Sequence, residues 1–171
     1  MRGYADFAFR QLGADAITVH PYMGSEAMAP FIKDPDHGVF VLCRTSNPGG
    51  WEMQNFSGEC GGAPLFMHVA KTVAETWNAN SNCGLVVGAT HPRELAVASR
   101  LAPRLPLLIP GIGKQGGDLY ATIKAAVARE DAGPFVINQS SSFMYQPTID
   151  ASVASLRMVN DAVKRVLAEP R

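Results

Sequence analysis

Five short apolar runs recur along this 171-residue chain: Ala16-Ile17-Thr18-Val19, Val39-Phe40-Val41-Leu42, Leu85-Val86-Val87, Leu107-Leu108-Ile109 and Phe135-Val136-Ile137. They are continuous rather than alternating, and continuous runs of this length are how strands buried on both faces read. That condition belongs to parallel sheets covered by helices.

Helical patterns fill the intervals. From Pro64 to Trp77 the residues Leu65, Val69, Val73 and Trp77 fall four apart, one stripe of a helix whose other faces carry Lys71 and Glu75. A second helix is expected after Thr90 as its N-cap, with Pro92 in the first turn and Leu95, Ala98 and Leu101 or Ala102 inward. A last one runs from about Asp150 to Leu167 and turns Val153, Leu156, Val159, Val163 and Val166 toward a core. Strand and helix therefore alternate, which leaves an open doubly wound sheet or a closed barrel. The longest connection, Ser46 to Pro64, is rich in Gly, Asn and Ser and reads as a mobile loop.

With 47% hydrophobic and 18% charged residues the chain can bury one sizeable core, so one globular domain is expected. Fifteen Lys and Arg balance fifteen Asp and Glu, so no global field draws it to nucleic acid or anionic lipid. An anionic ligand would have to be held by local geometry, which favours a small-molecule site. Cys43, Cys60 and Cys83 are odd in number and far apart, which argues against a disulfide framework or a zinc site and fits a reducing cytosol. The first residues lack the apolar core of a signal peptide, and no apolar run approaches the about 20 residues of a membrane span.

Three loops carry candidate chemistry. Ile109-Pro110-Gly111-Ile112-Gly113-Lys114-Gln115-Gly116-Gly117-Asp118 sets four glycines between a strand and a helix, where backbone N–H groups can approach an anion and Asp118 can cap the helix. A phosphate cradle and an ordinary glycine-rich turn share this composition. In Arg44-Thr45-Ser46-Asn47-Pro48-Gly49, also at the end of a strand, Thr45, Ser46 and Asn47 suit the edge of a polar heterocycle; a plain turn would use Asn-Pro-Gly for its backbone angles alone. In Asn138-Gln139-Ser140-Ser141-Ser142-Phe143-Met144-Tyr145, after the last strand, serines and backbone amides could complete a phosphate site or simply open a helix. His20 follows a buried strand and would face the same rim; a hydrogen-bonded structural histidine fits that position equally well. The histidines show no metal-ligand spacing, and no nucleophile elbow, Walker loop or long dinucleotide fingerprint is present.

Taken in order, Gly13-Ala14-Asp15-Ala16-Ile17-Thr18-Val19-His20-Pro21-Tyr22-Met23-Gly24, Val39 to Gly49, Gly84-Leu85-Val86-Val87-Gly88-Ala89-Thr90 and Leu108 to Asp118 resemble orotidine 5'-phosphate decarboxylase, in its bacterial type 2 branch. The likeness spans nearly the whole chain. It implies an α/β fold, a partial (β/α)8 TIM barrel whose strands four to eight are the five runs, as a single incomplete domain over residues 1–171. Carried over by position, Ser46 would hydrogen-bond the pyrimidine amide edge, Pro110 and Ile112 would line the pocket near the reacting carboxylate, and Gln115 would bridge phosphate and pyrimidine. Thr45, Gly116, Ser140, Ser141 and His20 complete the expected substrate-binding set.

Two departures stand out. The family's Asp-x-Lys-x-x-Asp motif, which supplies the proton donor, occurs nowhere here, so no catalytic residue is assigned in this chain. Met1 to Tyr4 would fall just beyond that motif, with roughly 100 residues of a family-sized chain before them. The arginine that clamps the phosphate is replaced by Ser141, which would weaken phosphate binding by roughly 1.5–3 kcal/mol unless a cation such as Lys114 substitutes. The resemblance implies conversion of orotidine 5'-phosphate (OMP) to UMP and CO2 in pyrimidine synthesis, in the cytoplasm, without cofactor or metal, by a homodimer when the barrel is complete. A non-catalytic nucleotide-binding remnant or a related sugar-phosphate lyase are the alternatives. Five strands cannot close an eight-strand barrel, so free sheet edges and self-association are expected of the chain alone.

Overall fold

The computed structural model describes residues 1–58, 61–113, 115–128 and 131–169. Each apolar run is a strand: β1 (Ala16–Val19), β2 (Gly38–Arg44), β3 (Cys83–Val87), β4 (Leu107–Pro110) and β5 (Phe135–Asn138). They pair in chain order, every pair parallel, and the sheet curls into half of a barrel. Strictly sequential order has no switch point of the kind that sends helices to both faces of a doubly wound sheet, so the barrel alternative is the one realised.

The helices are α1 (Arg2–Asp6, prolonged by a wider turn over Phe7–Gln11), α2 (Gly24–Ile32), α3 (Gly50–Gln54), α4 (Leu65–Thr72, likewise prolonged over Val73–Trp77), α5 (Pro92–Leu101), α6 (Leu119–Ala126), α7 (Ser141–Met144) and α8 (Ile149–Ala168). Alternate strand residues, Val39, Val41 and Cys43 of β2, Leu85 and Val87 of β3 and Ile109 of β4, form one core with Val69, Ala70 and Val73 of α4 and Leu95 and Ala98 of α5. Trp77 closes the end of that stripe and donates its indole N–H to the Ser25 hydroxyl at 2.9 Å, tying α4 to α2. Among the described residues no helix is long and apolar enough to cross a membrane.

Burial on both faces holds only in the middle of the sheet. Every residue of β3 is buried, whereas β1 and β5 alternate, and Val136 is 58% exposed. The outer strands turn Ile17, Val19, Phe135 and Ile137 to the helices. Their other residues face the hollow of the half-barrel, where no described element covers them.

Three further expectations are corrected. Thr90 does not cap α5: the N-cap is His91, with no side-chain bond, and the Thr90 hydroxyl instead donates to the Ser46 carbonyl at 3.1 Å. The connection from Ser46 to Pro64 is not structureless, for it contains α3 and is pinned at its far end by the Leu65 N–H to Phe56 carbonyl bond of 2.9 Å; Cys60 lies outside the described residues. The expected inward stripe of α8 is buried only in its second half. Val159, Ala162 and Val166 pack inward, but Val153 and Leu156 are 36% and 41% exposed because the first turns of the helix overhang the sheet edge at β5.

Gly84 shows how tightly the centre of the sheet is filled. It pairs with Phe40 across β2 and β3, and a Cβ on it would lie 2.7 Å from both the Phe40 ring and the Pro106 carbonyl. Gly84→Ala is expected to destabilise the chain by about 1–3 kcal/mol, the cost of overpacking, and to lower Tm by several degrees in a calorimetric scan. The free edges of β1 and β5 predict self-association that grows with concentration in sedimentation velocity. A monodisperse monomer that unfolds in one sharp transition would contradict that expectation.

Candidate functional site

Because all five strands run the same way, the loops after their carboxyl ends gather on one rim. These are His20 after β1, Thr45-Ser46-Asn47 after β2, Gly88-Ala89-Thr90 after β3, the glycine turn after β4 and Gln139 to Ser142 after β5. Two of the candidate segments are forced into contact. A Cβ on Gly111 would lie 2.8 Å from the Ser46 Cβ, 3.2 Å from its Oγ and 2.9 Å from the Gln115 Oε1. Gly111 also holds φ +103°, a conformation that side chains disfavour, so both space and backbone demand glycine there. Ser46 and Gln115 thus converge on one point, Ser46 partly open to solvent and Gln115 exposed.

The glycine turn is held by its own backbone. Gly116 N–H donates to the Gly113 carbonyl at 2.8 Å and Gly117 N–H to the Gly111 carbonyl at 3.1 Å. Ile112 is buried at the base of the turn, Pro110 is half-buried, and Gln115 and Gly116 are exposed on top. Asp118 caps α6 as expected, its Oδ1 accepting from Ala121 N–H at 2.9 Å. Lys114, the suggested substitute cation, lies outside the described residues.

On the β5 side the serines divide. Ser140 is the exposed N-cap of α7 and Ser141 its half-buried first residue. The serine brought onto the glycine turn is the next one: a Cβ on Gly113 would meet the Cβ and Oγ of Ser142 at 2.9 Å. Among the described residues the buried Ser142 Oγ and Gln139 Oε1 find no hydrogen-bond partner. Neither was singled out from sequence, although both belong to the same polar run. His20 is exposed and borders a mostly apolar hollow of about 420 Å³ lined by Ile17, Val19, Met28 and Leu42; Ser46 and Gln115 are not part of it.

The Ser46 loop has a support that sequence reading missed. Arg44, 1% exposed, donates from Nη1 to the Thr45 carbonyl at 2.8 Å and to Gln54 Oε1 at 3.0 Å. Gln54 Oε1 also accepts from Thr45 N–H at 2.9 Å, and its Nε2 donates to the Thr45 hydroxyl at 2.7 Å. That hydroxyl lies 2.6 Å from Asn47 Oδ1 and donates to it. Thr45 is therefore spent on holding the loop. Burial works against the Arg44 charge and Glu94 supports it; burial first and the Arg44 charge second lower the pKa of His91 from its ordinary value. The one sequence signal for Arg44 was a charged residue ending an apolar run. Among the described residues no three His, Cys, Asp or Glu side chains converge to hold a metal.

The parallel half-barrel and its rim of loops at the carboxyl ends of the strands are the architecture of a TIM-barrel protein. Residues 1–138 match the Orotidine 5'-phosphate decarboxylase / HUMPS family, and the chain belongs to it. It is 46% identical over 169 residues to the orotidine 5'-phosphate decarboxylase of Janthinobacterium sp. (strain Marseille), covering 96% of this chain and 61% of that one. Against the orotidine 5'-phosphate decarboxylase of Azoarcus sp. (strain BH72) it is 51% identical over 142 residues, covering 83% and 52%. Among solved structures it is similar to Leishmania donovani UMP synthase, with TM-score 0.89, 40% identity and coverage of 99% and 37%. It is also similar to Leishmania donovani OMP decarboxylase, with TM-score 0.82, 39% identity and coverage of 95% and 62%. The chain thus spans between about half and three-fifths of the two bacterial relatives.

Cys43, beside Arg44, tests the packing under the rim. Burial pushes its thiol up to about 12 and that of Cys83 to about 11, and the Cys43 thiol donates to the Phe66 carbonyl. Both remain neutral thiols at pH 8, so iodoacetamide is expected to leave their peptides unmodified in the native chain and to label them after unfolding, as read by mass spectrometry. Rapid native labelling of Cys43 would show that the core beneath the loop is open.

Proposed function

We propose that this chain is the nucleotide-holding part of an orotidine 5'-phosphate decarboxylase and binds OMP and UMP across its rim. The observation that carries the reading is the convergence of Ser46 and Gln115 on Gly111. A pyrimidine amide edge on Ser46 and a phosphate near the glycine turn can share Gln115 as a bridge only if these loops adjoin. Pro110 and Ile112 supply the apolar wall beside the reacting carboxylate. Gly116, Ser140 and Ser141 offer neutral donors to the phosphate, Thr45 braces Ser46, and His20 borders the rim.

In the reaction, the bond between C6 and the carboxylate breaks, CO2 leaves, and the electron pair left on C6 takes a proton from a lysine. That lysine belongs to the Asp-x-Lys-x-x-Asp motif, which these residues do not include. The part played by this chain is to bind both ends of the nucleotide, so that phosphate-binding energy offsets desolvation and strain at the ring. The active species is proposed to be a cytoplasmic homodimer of the completed barrel.

A second reading, a non-catalytic nucleotide binder, is favoured by Ser141, a neutral residue where the family's phosphate clamp is expected. Calorimetric titration with UMP tests the binding itself. Ser46→Ala is expected to weaken UMP about fivefold, the worth of one neutral hydrogen bond. Ser141→Arg is expected to strengthen it tenfold or more by restoring a charge-assisted pair. Wild-type chain that fails to bind UMP refutes the nucleotide reading. Joining the chain to the amino-terminal part of the Janthinobacterium relative, which supplies the remaining strands, is expected to give CO2 release from OMP. A folded hybrid that binds UMP but releases no CO2 would establish the second reading instead.

A further inference from the structure

The turn Gly88-Ala89-Thr90 has been given no ligand to hold, yet it braces both halves of the site. Its successive amides point in opposite directions: Gly88 N–H donates to the Arg44 carbonyl at 2.7 Å and Ala89 N–H to the Pro110 carbonyl at 2.8 Å. Those carbonyls end β2 and β4, just before the pyrimidine-side loop and the phosphate-side turn. Packing repeats the pattern. A Cβ on Gly88 would lie 2.7 Å from the Ser46 backbone, and a Cβ on Gly117 would lie 2.7 Å from the Ala89 Cβ. The fully buried Thr122 of α6 donates its hydroxyl to the Ala89 carbonyl at 3.2 Å, which fixes the turn to the helix that follows the phosphate side.

Within this turn Thr90 has the one side chain that reaches Ser46. Its hydroxyl donates to the Ser46 carbonyl at 3.1 Å, while α5 starts at Pro92 with His91 as its N-cap and no side-chain cap bond. A threonine so close to a helix start ordinarily serves that helix; here the hydroxyl is given to the neighbouring loop. The Ser46 carbonyl and hydroxyl share one Cα, so fixing the carbonyl restricts the directions open to the hydroxyl.

We propose that Thr90 is a positioning residue for the pyrimidine end of the site: by holding the Ser46 carbonyl it aims the Ser46 hydroxyl, relative to a phosphate-side turn braced by the same three residues. The inference rests on the nucleotide reading above and adds a residue to it. Thr90 touches no ligand, so its removal should be felt at one end of the nucleotide only.

The test is calorimetric titration of wild type, Thr90→Val, Thr90→Ala and Thr90→Ser with UMP, uridine and ribose 5-phosphate. Valine keeps the shape and removes the donor; alanine guards against a valine-specific packing fault. Both are expected to weaken UMP and uridine about fivefold and to leave ribose 5-phosphate at its wild-type affinity, with Thr90→Ser restoring the loss. Unchanged UMP affinity in Thr90→Val and Thr90→Ala overturns the proposal. So does an equal loss for ribose 5-phosphate, or a serine variant that does not recover, since either marks a general structural role. If wild type itself does not bind UMP, the nucleotide reading fails and this inference with it, an outcome the wild-type arm separates from the others.

Discussion

The approach of Ser46 to two glycine backbones is the contact on which the rim depends. Gly88 meets it from β3 and Gly111 from β4, each so near that a Cβ would fall within 2.8 Å of a Ser46 atom. Parallel pairing brings the strand ends level, but it leaves ordinary side chains between neighbouring loops. Removing them at these two positions lets the loops after β2 and β4 close on each other. The same approach leaves Gln115 beside Ser46, although Gln115 itself comes from an exposed turn. Packing at the rim, more than any charge, sets the distance between the two ends of a ligand.

Among the described residues, the buried charge lies beneath the rim. Arg44 is buried beneath the Ser46 loop, and its Nη1 is spent on the Thr45 carbonyl and Gln54, with Nε unpartnered among the described residues. Burying a guanidinium without a close carboxylate is costly unless hydrogen bonds satisfy it, so the stiffness it gives the Ser46 loop comes at the expense of stability. Around the glycine turn and the start of α7 the described candidate residues Gln115, Ser140, Ser141 and Ser142 are neutral. Neutral donors bind a phosphate more weakly than a bidentate guanidinium does. On the proposed reading, less binding energy would then be left over for strain at the distant ring.

Much of the fold was legible because its signal is periodic and local. Continuous apolar runs located all five strands, and the four-residue stripe from Leu65 to Trp77 located α4 with its prolonged turn. What pattern cannot encode is the neighbour each face will meet. Val136 belongs to a run as apolar as that of β3, yet it is exposed because β5 is the outer strand. Val153 and Leu156 keep helical spacing but overhang the sheet. The site was legible where a loop carries a composition, as in the glycine turn and Thr45-Ser46-Asn47. It was not legible where function of a side chain depends on distant partners: Ser142 is singled out from its neighbours only by Gly113, and Thr90 leaves its helix only because Ser46 offers a carbonyl.

Coverage of the sheet is lopsided, and that asymmetry bears on how binding and folding are linked. The helix-facing residues of β2, β3 and β4 are sealed by α4 and α5, whereas the opposite faces of β1 and β5 lie open. A nucleotide held between Ser46, Gln115 and the serines after β5 would span loops from three different strands, and would draw the rim of β5 toward that of β2. Ligand that binds only the folded rim stabilises it in proportion to its occupancy. If binding had to hold β5 closer to β2, part of its free energy would go to that movement, and the apparent affinity would fall below what the contacts alone would give. Strands that covered the hollow of the half-barrel would order β5 independently and release that share to the ligand. On the proposed reading the site and the closure of the barrel are therefore one energetic problem, with the β5 loop as the element they share.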